Sequence, residues 1–184
     1  MFYGRTDIMQ PVRRIYVEKK PGFDIEAKDI LNDLRENLSL AALQDVRVLN
    51  RYDVSGINDE EYARARGLIF SEPPVDNAYD EDFRYGADDK IFVVEFLPGQ
   101  FDQRAASCEE CISILTQKDR PVVRSAKVYI LSGNITDADI ARVKAYIINP
   151  VEAREATLEK PETLDLSLTV PEDVETVTGF CQMD

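Results

Sequence analysis

Histidine is absent from this chain, and so is tryptophan. The missing histidine removes the commonest general base and the commonest metal ligand together. Cysteine is scarce: three residues, an odd number that does not suggest a disulfide framework. A reducing, cytoplasmic setting is the simplest expectation. Positive charge is also short, with 22 basic against 35 acidic residues and a formal net charge of −13. Nucleic-acid binding needs a basic stripe, and none is present. No run approaches the roughly 18 apolar residues of a membrane span. Residues 1–11 lack the apolar centre of a signal peptide and read as a flexible leader.

What is present is repetition. Arg14-Ile15-Tyr16-Val17-Glu18 followed by Pro21-Gly22-Phe23-Asp24 recurs as Ile91-Phe92-Val93-Val94-Glu95 followed by Pro98-Gly99-Gln100-Phe101-Asp102. Glu18/Glu95, Pro21/Pro98, Val46/Val123, Tyr52/Tyr129 and Gly56/Gly133 are all separated by 77 positions. One inserted residue then shifts the offset to 78, as in Ala63/Ala141 and Arg64/Arg142.

Each unit reads as strand, helix, strand, helix and a closing strand. Ile15–Lys19 and Ile91–Leu97 are β-branched and aromatic, and a Pro-Gly turn ends each. Asp24 and Asp102 stand where a helix N-cap belongs. Ala27, Ile30, Leu31, Leu34 and Leu38 share one helical face, as do Ala105, Cys108, Ile112 and Leu115. Middle strands follow at Val46–Tyr52 and Val123–Leu131, and second helices start near Asn58 and Thr136. Closing strands are placed at Ala153–Leu158 and, more weakly, around Val75–Tyr79. In the tail, Leu164, Leu166 and Leu168 alternate with polar residues as in a strand, and Pro171–Thr178 suits a short helix.

The domain reading is therefore residues 12–80, an acidic linker at 81–89, and residues 90–158. Residues 159–184 open a further segment that is cut short. One unit buries too little surface to be robust, so two copies should pack as one body.

Recognisable chemistry is sparse. Cys108-Glu109-Glu110-Cys111 has dithiol spacing, but a structural zinc site needs four ligands. The plainer reading makes Cys108 a small hydrophobe on a helix's inner face. Asp80-Glu81-Asp82 and Asp88-Asp89 lack the order of a calcium loop and read as a solvated acidic linker. No phosphate loop and no nucleophile elbow occurs. No catalytic, cofactor-binding or metal-binding residue is assigned. The second Pro-Gly loop is the one candidate surface, comprising Pro98, Gly99, Gln100, Phe101, Asp102 and Arg104. It joins a turn, an aromatic, an amide and a guanidinium at a helix start, which suits an anion or a docking partner. A capped turn with Phe101 tucked into the core is the alternative.

Longer strings carry a family likeness. Ile15-Tyr16-Val17-Glu18-Lys19-Lys20-Pro21-Gly22-Phe23-Asp24, Val48-Leu49-Asn50-Arg51-Tyr52-Asp53-Val54 and Phe70-Ser71-Glu72-Pro73-Pro74-Val75-Asp76 resemble the N-terminal region of the large, single-chain phosphoribosylformylglycinamidine synthases. So do Leu97–Ala105 and Lys144–Glu155. That region is similar to two fused copies of the small PurS subunit, which bridges synthetase and glutaminase in the split enzymes.

The resemblance implies an α+β fold of tandem duplicated β-α-β-α-β units. These PurS-like, ferredoxin-like sandwiches would form a pseudo-two-fold body with sheets packed together and helices outside. It also implies a non-catalytic docking module of an enzyme of purine biosynthesis. That enzyme makes the formylglycinamidine ribonucleotide with ATP, Mg and glutamine-derived ammonia. The partners would be the synthetase and glutaminase parts of the same enzyme, with the chain itself a monomer. No nucleic acid, membrane or cofactor is expected for this region. A small-molecule-binding regulatory module is the alternative.

Overall fold

A computed structural model describes residues 11–164 of the chain. The expected leader lies outside the described residues except for Pro11. The tail beyond Leu164, with its alternating strand and short helix, lies outside them as well.

The described residues form an α+β fold of four α-helices and one six-stranded antiparallel sheet. In chain order the elements are β1 (Arg13–Lys19), α1 (Ile25–Asn37), β2 (Leu43–Ser55), α2 (Asp59–Ala65), β3 (Asp76–Asp80), β4 (Lys90–Phe96), α3 (Gln103–Thr116), β5 (Val122–Gly133), α4 (Asp137–Ile147) and β6 (Ala153–Ala156). A widened π-helical turn, Arg66–Phe70, extends α2. Strand order is β3-β1-β2-β5-β4-β6.

Helix starts follow local chemistry. Asn58 and Glu61 close a capping box on α2, and Thr136 and Asp139 do the same on α4. Asp102 caps α3 by accepting from the Ala105 N–H at 2.8 Å. Asp24 stands at the N-cap position of α1, but its side chain makes no cap hydrogen bond. Its carboxylate accepts instead from the Gly22 N–H and from Lys28 Nζ, at 2.8 and 2.7 Å.

The expectation of two sheets packed together with helices outside is corrected. The halves meet edge to edge, through β2 and β5, in a register running from Leu43↔Gly133 to Ser55↔Val122. Pairing these long strands satisfies backbone donors and acceptors that two separate sheets would leave at open edges. β5 ends where only glycine fits: Gly133 has φ +141°, and a Cβ there would stand 2.4 Å from the Ala42 carbonyl oxygen. Asn50 lies opposite Lys127, its counterpart 77 positions on in the repeat.

The helices pack on one face of the sheet, and each core cluster draws on both halves. Ile15, Val17, Tyr52 and Val54 pack with Ala65 and Phe70, but also with Ala105, Cys108 and Ile112 of α3. Ala27 and Leu34 of α1 pack with Phe92, Tyr129, Leu131 and Val143. Each Val, Leu, Ile or Phe among them is worth about 1.5–3 kcal/mol when fully buried. Neither half holds a complete core by itself.

The opposite face carries Leu49, Val93, Val128 and Ile130. Phe83 packs there, edge-on to Tyr16 with ring centroids 4.6 Å apart. The 81–89 segment is thus anchored to the sheet rather than wholly solvated. The same face buries charge. Arg14 is 1% exposed and donates from Nε and Nη2 to both oxygens of Asp53, at 2.5 and 2.8 Å. Arg14 Nη1 also donates to the Leu158 carbonyl at 2.6 Å, and Arg51 donates to the Thr157 carbonyl at 2.8 Å.

Removing one partner of a buried pair strands the other charge. Asp53→Ala should therefore lower stability by about 3–5 kcal/mol in urea unfolding. Glu110→Ala, which breaks an exposed 3.6 Å pair with Arg120, should cost less than about 1 kcal/mol. Equal losses would mean that Arg14 is not held by this pair.

Candidate functional site

The second Pro-Gly loop joins β4 to α3. The Gln100 N–H donates to the Leu97 carbonyl at 3.0 Å, and the Leu97 N–H reaches the Glu152 carbonyl at 2.9 Å. Gly99 takes φ +88°, a left-handed conformation that suits glycine. Pro98, Gly99, Gln100 and Arg104 are exposed. Phe101 is 75% exposed, so the alternative that tucked it into the core does not hold. Phe96 and Val151 are also exposed, at 43% and 75%, and Gln100 Nε2 reaches the Val151 carbonyl at 3.4 Å. The loop therefore presents an apolar tip.

Asp102 faces inward in its contacts. Besides the cap, its carboxylate accepts from the Ser125 N–H and hydroxyl, both at 2.9 Å. These bonds fix the loop to β5 and leave Asp102 a positioning role.

Beside the loop lies a cleft of about 740 Å³. β2, β4 and β5 form its floor with Asn50, Tyr52, Val94, Lys127 and Tyr129, while Arg104 and Ser107 of α3 form a wall. Phe96 and Phe101 also line it. Arg104 Nη1 donates to Tyr52 Oη at 3.1 Å. Burial raises the Tyr52 phenol pKa, while the adjacent guanidinium opposes the rise. Burial, with a smaller push from the Glu26 charge, takes Tyr129 up to about 12. Lys127 pairs with Glu26 of α1. The Asn50 side-chain oxygen is buried without a hydrogen-bond partner.

Sequence reasoning reached Arg104 and Phe101 but not Asn50, Tyr52, Lys127 or Tyr129. The available signal was polar residues interrupting the inward-facing positions of two otherwise apolar strands. Their convergence depends on the β2–β5 register.

The other sequence candidates resolve into structure. Asp80 pairs with Arg66 at 2.9 Å and accepts from the Tyr62 hydroxyl at 2.6 Å. Glu81 pairs with Lys160 at 2.6 Å, and Asp89 accepts from the Ser132 hydroxyl at 2.7 Å. Among the described residues, no group of three or more histidine, cysteine, aspartate or glutamate side chains is placed to hold a metal. No described helix is long and apolar enough to cross a membrane. Cys108 is buried against the sheet while Cys111 is exposed. Burial pushes the Cys108 thiol up to about 12.

No protein-family model and no curated protein matches the chain.

Thiolate is the reactive form of cysteine, so the two thiols should differ in alkylation. Iodoacetamide at pH 8 should modify Cys111 and spare Cys108 in the native chain, with both reacting in urea. Comparable native labelling, read by peptide mass spectrometry, would contradict the buried placement.

Proposed function

We propose that this chain is a non-catalytic, PurS-like docking module of phosphoribosylformylglycinamidine synthase. It would hold the synthetase and glutaminase parts together while ammonia passes between them. The observation carrying this reading is the seam. Two halves with matching sequence pair through β2 and β5, and Asn50 falls opposite its own repeat counterpart. An internal two-fold of duplicated, ferredoxin-like units accounts for that register, because counterparts meet at a two-fold axis. The shared cores then correspond to a dimer made covalent. The long family-like strings at both Pro-Gly loops support the same assignment.

In this reading ATP and Mg act in other parts of the enzyme, in the cytoplasm, and the chain itself turns over neither ATP nor glutamine. Pro98, Gly99, Gln100, Phe101 and Arg104 form the docking surface, with Asp102 holding the loop in place. Exposed aromatic residues beside a polar rim suit such a contact.

The test is complementation. A phosphoribosylformylglycinamidine synthase lacking its PurS-like region should regain glutamine-dependent amidine formation when this chain is added. Phe101→Ala should weaken that rescue at least fivefold. Its stability should change by less than about 0.5 kcal/mol, since the ring is largely solvated. A folded truncated enzyme that stays inactive would remove the docking role. Light scattering should find a monomer, because β2 and β5 already occupy each other's edges; a stable dimer would contradict the monomer expectation.

A further inference from the structure

The cleft beside α3 holds polar groups that the fold leaves unused. At the centre of a sheet covered by helices, inward-facing side chains are ordinarily apolar. Val46, Val48, Tyr129 and Leu131 follow that rule on one side, as do Val54 and Val123 on the other. Between them stand Asn50, Ser125 and Lys127. Ser125 is accounted for by Asp102. Asn50 is not: its buried oxygen lacks a donor.

The donors near it are in surplus. Arg104 gives one N–H to Tyr52 and forms no ion pair among the described residues. A guanidinium carries five N–H donors. Tyr52 accepts from Arg104, so its own O–H remains free to donate elsewhere. Lys127 gives Glu26 a single N–H of its three. Of the lining carboxylates, Glu95 is held by Arg154 at 2.7 Å, which leaves Glu152 as the opposing charge. Tyr129, Phe96 and Phe101 add aromatic surface. At about 740 Å³ the cleft falls within the size range of small-ligand sites.

We propose that this cleft binds a small planar molecule carrying a carboxylate or a phosphate monoester. Arg104, the Tyr52 hydroxyl and Lys127 hold the anion. The aromatic side chains cover the planar body, and Asn50 accepts from an N–H of the ligand. Glu26 competes for Lys127 and Glu152 repels the anion, so both weaken binding. This site goes beyond the docking role and requires no partner domain.

The chain alone, labelled with nitrogen-15, is titrated with phenyl phosphate, benzoate and uncharged phenol. Saturable shifts near residues 50–52, 104 and 125–129 are expected with at least one of the anions, and weaker ones with phenol. Tighter binding of phenyl phosphate assigns a phosphate ester, and tighter binding of benzoate a carboxylate. Arg104→Ala should weaken binding roughly tenfold, the scale of a charge-assisted hydrogen bond. Glu26→Gln should tighten it at least twofold. Both positions are solvent-exposed, and thermal melts verify that the variants stay folded. No saturable shift with either anion, phenol binding as tightly as the anions, or an unaffected Arg104→Ala would each overturn the proposal. Because complementation plays no part in this readout, failure here leaves the docking result standing, and the reverse holds too.

Discussion

The pairing of β2 with β5 is the constraint on which the rest of the molecule depends. Each half presents a three-stranded sheet, β3-β1-β2 or β5-β4-β6, with a long strand at its inner edge. Left apart, those edges would offer unpaired backbone groups to any neighbour. Joined, they make one sheet broad enough for all the helices to settle on a single face. α3 then reaches Ile15, Val17 and Tyr52, while α1 reaches Phe92, Tyr129 and Leu131. Part of the apolar contact that stabilises each half therefore exists only after the seam has formed. A half of this size buries too little surface alone, and sharing cores across the seam is the physical remedy.

The helix-free face is held by a different balance. Its centre is apolar, with Leu49, Val93, Val128 and Ile130. Toward β1 it becomes ionic, where Arg14, Asp53 and Arg51 are 1%, 3% and 6% exposed. Charges this deep persist only when their hydrogen-bonding capacity is met. Here the fork from Arg14 to Asp53 meets part of it, and carbonyls of residues 157–159 meet more. Arg124 adds the Leu164 carbonyl at 2.8 Å. The segment after β6 is thus tied down by arginines projecting from the sheet. Arg47 forms a second fork with Glu18, at 2.6 and 2.8 Å, and donates to the Arg84 carbonyl, fastening the segment after β3 in the same way.

The cleft and the apolar loop tip are consequences of this architecture. Asp102 locks the second Pro-Gly loop against β5, so Phe101 projects outward and Arg104 turns toward Tyr52. The first Pro-Gly loop carries the same motif but behaves differently. Asp24 commits its carboxylate to Gly22 and Lys28, and Glu26 stands two residues further on, paired with Lys127. One repeat therefore presents a cation where the other presents an anion. The two sequence repeats share a local pattern, and different residues at a few positions give them unlike surfaces.

Much of the local structure was legible in the residues. The strand at Ile15–Lys19, the helical face of Ala27, Leu31 and Leu34, the helix starts near Asn58 and Thr136 and the inward placement of Cys108 all followed from local composition and short-range spacing. The 77-residue offset made the repeat plain without any coordinates. Less legible was the anchoring role of Phe83, because an aromatic in an acidic run gives no sign of which surface it will meet. Strand composition gave no sign that Arg14 and Asp53 would be buried, and the segment of residues 157–159 that crosses their face meets Arg14 there. The way the halves join also lay beyond periodicity, since edge pairing and face packing demand the same alternation of apolar residues. The sequence alone determined two matching units and most of their elements, because caps, turns and amphipathic spacing act over a few residues. Tertiary structure alone decided the single sheet, the shared cores and the polar cleft at the seam, because these depend on which distant strands become neighbours.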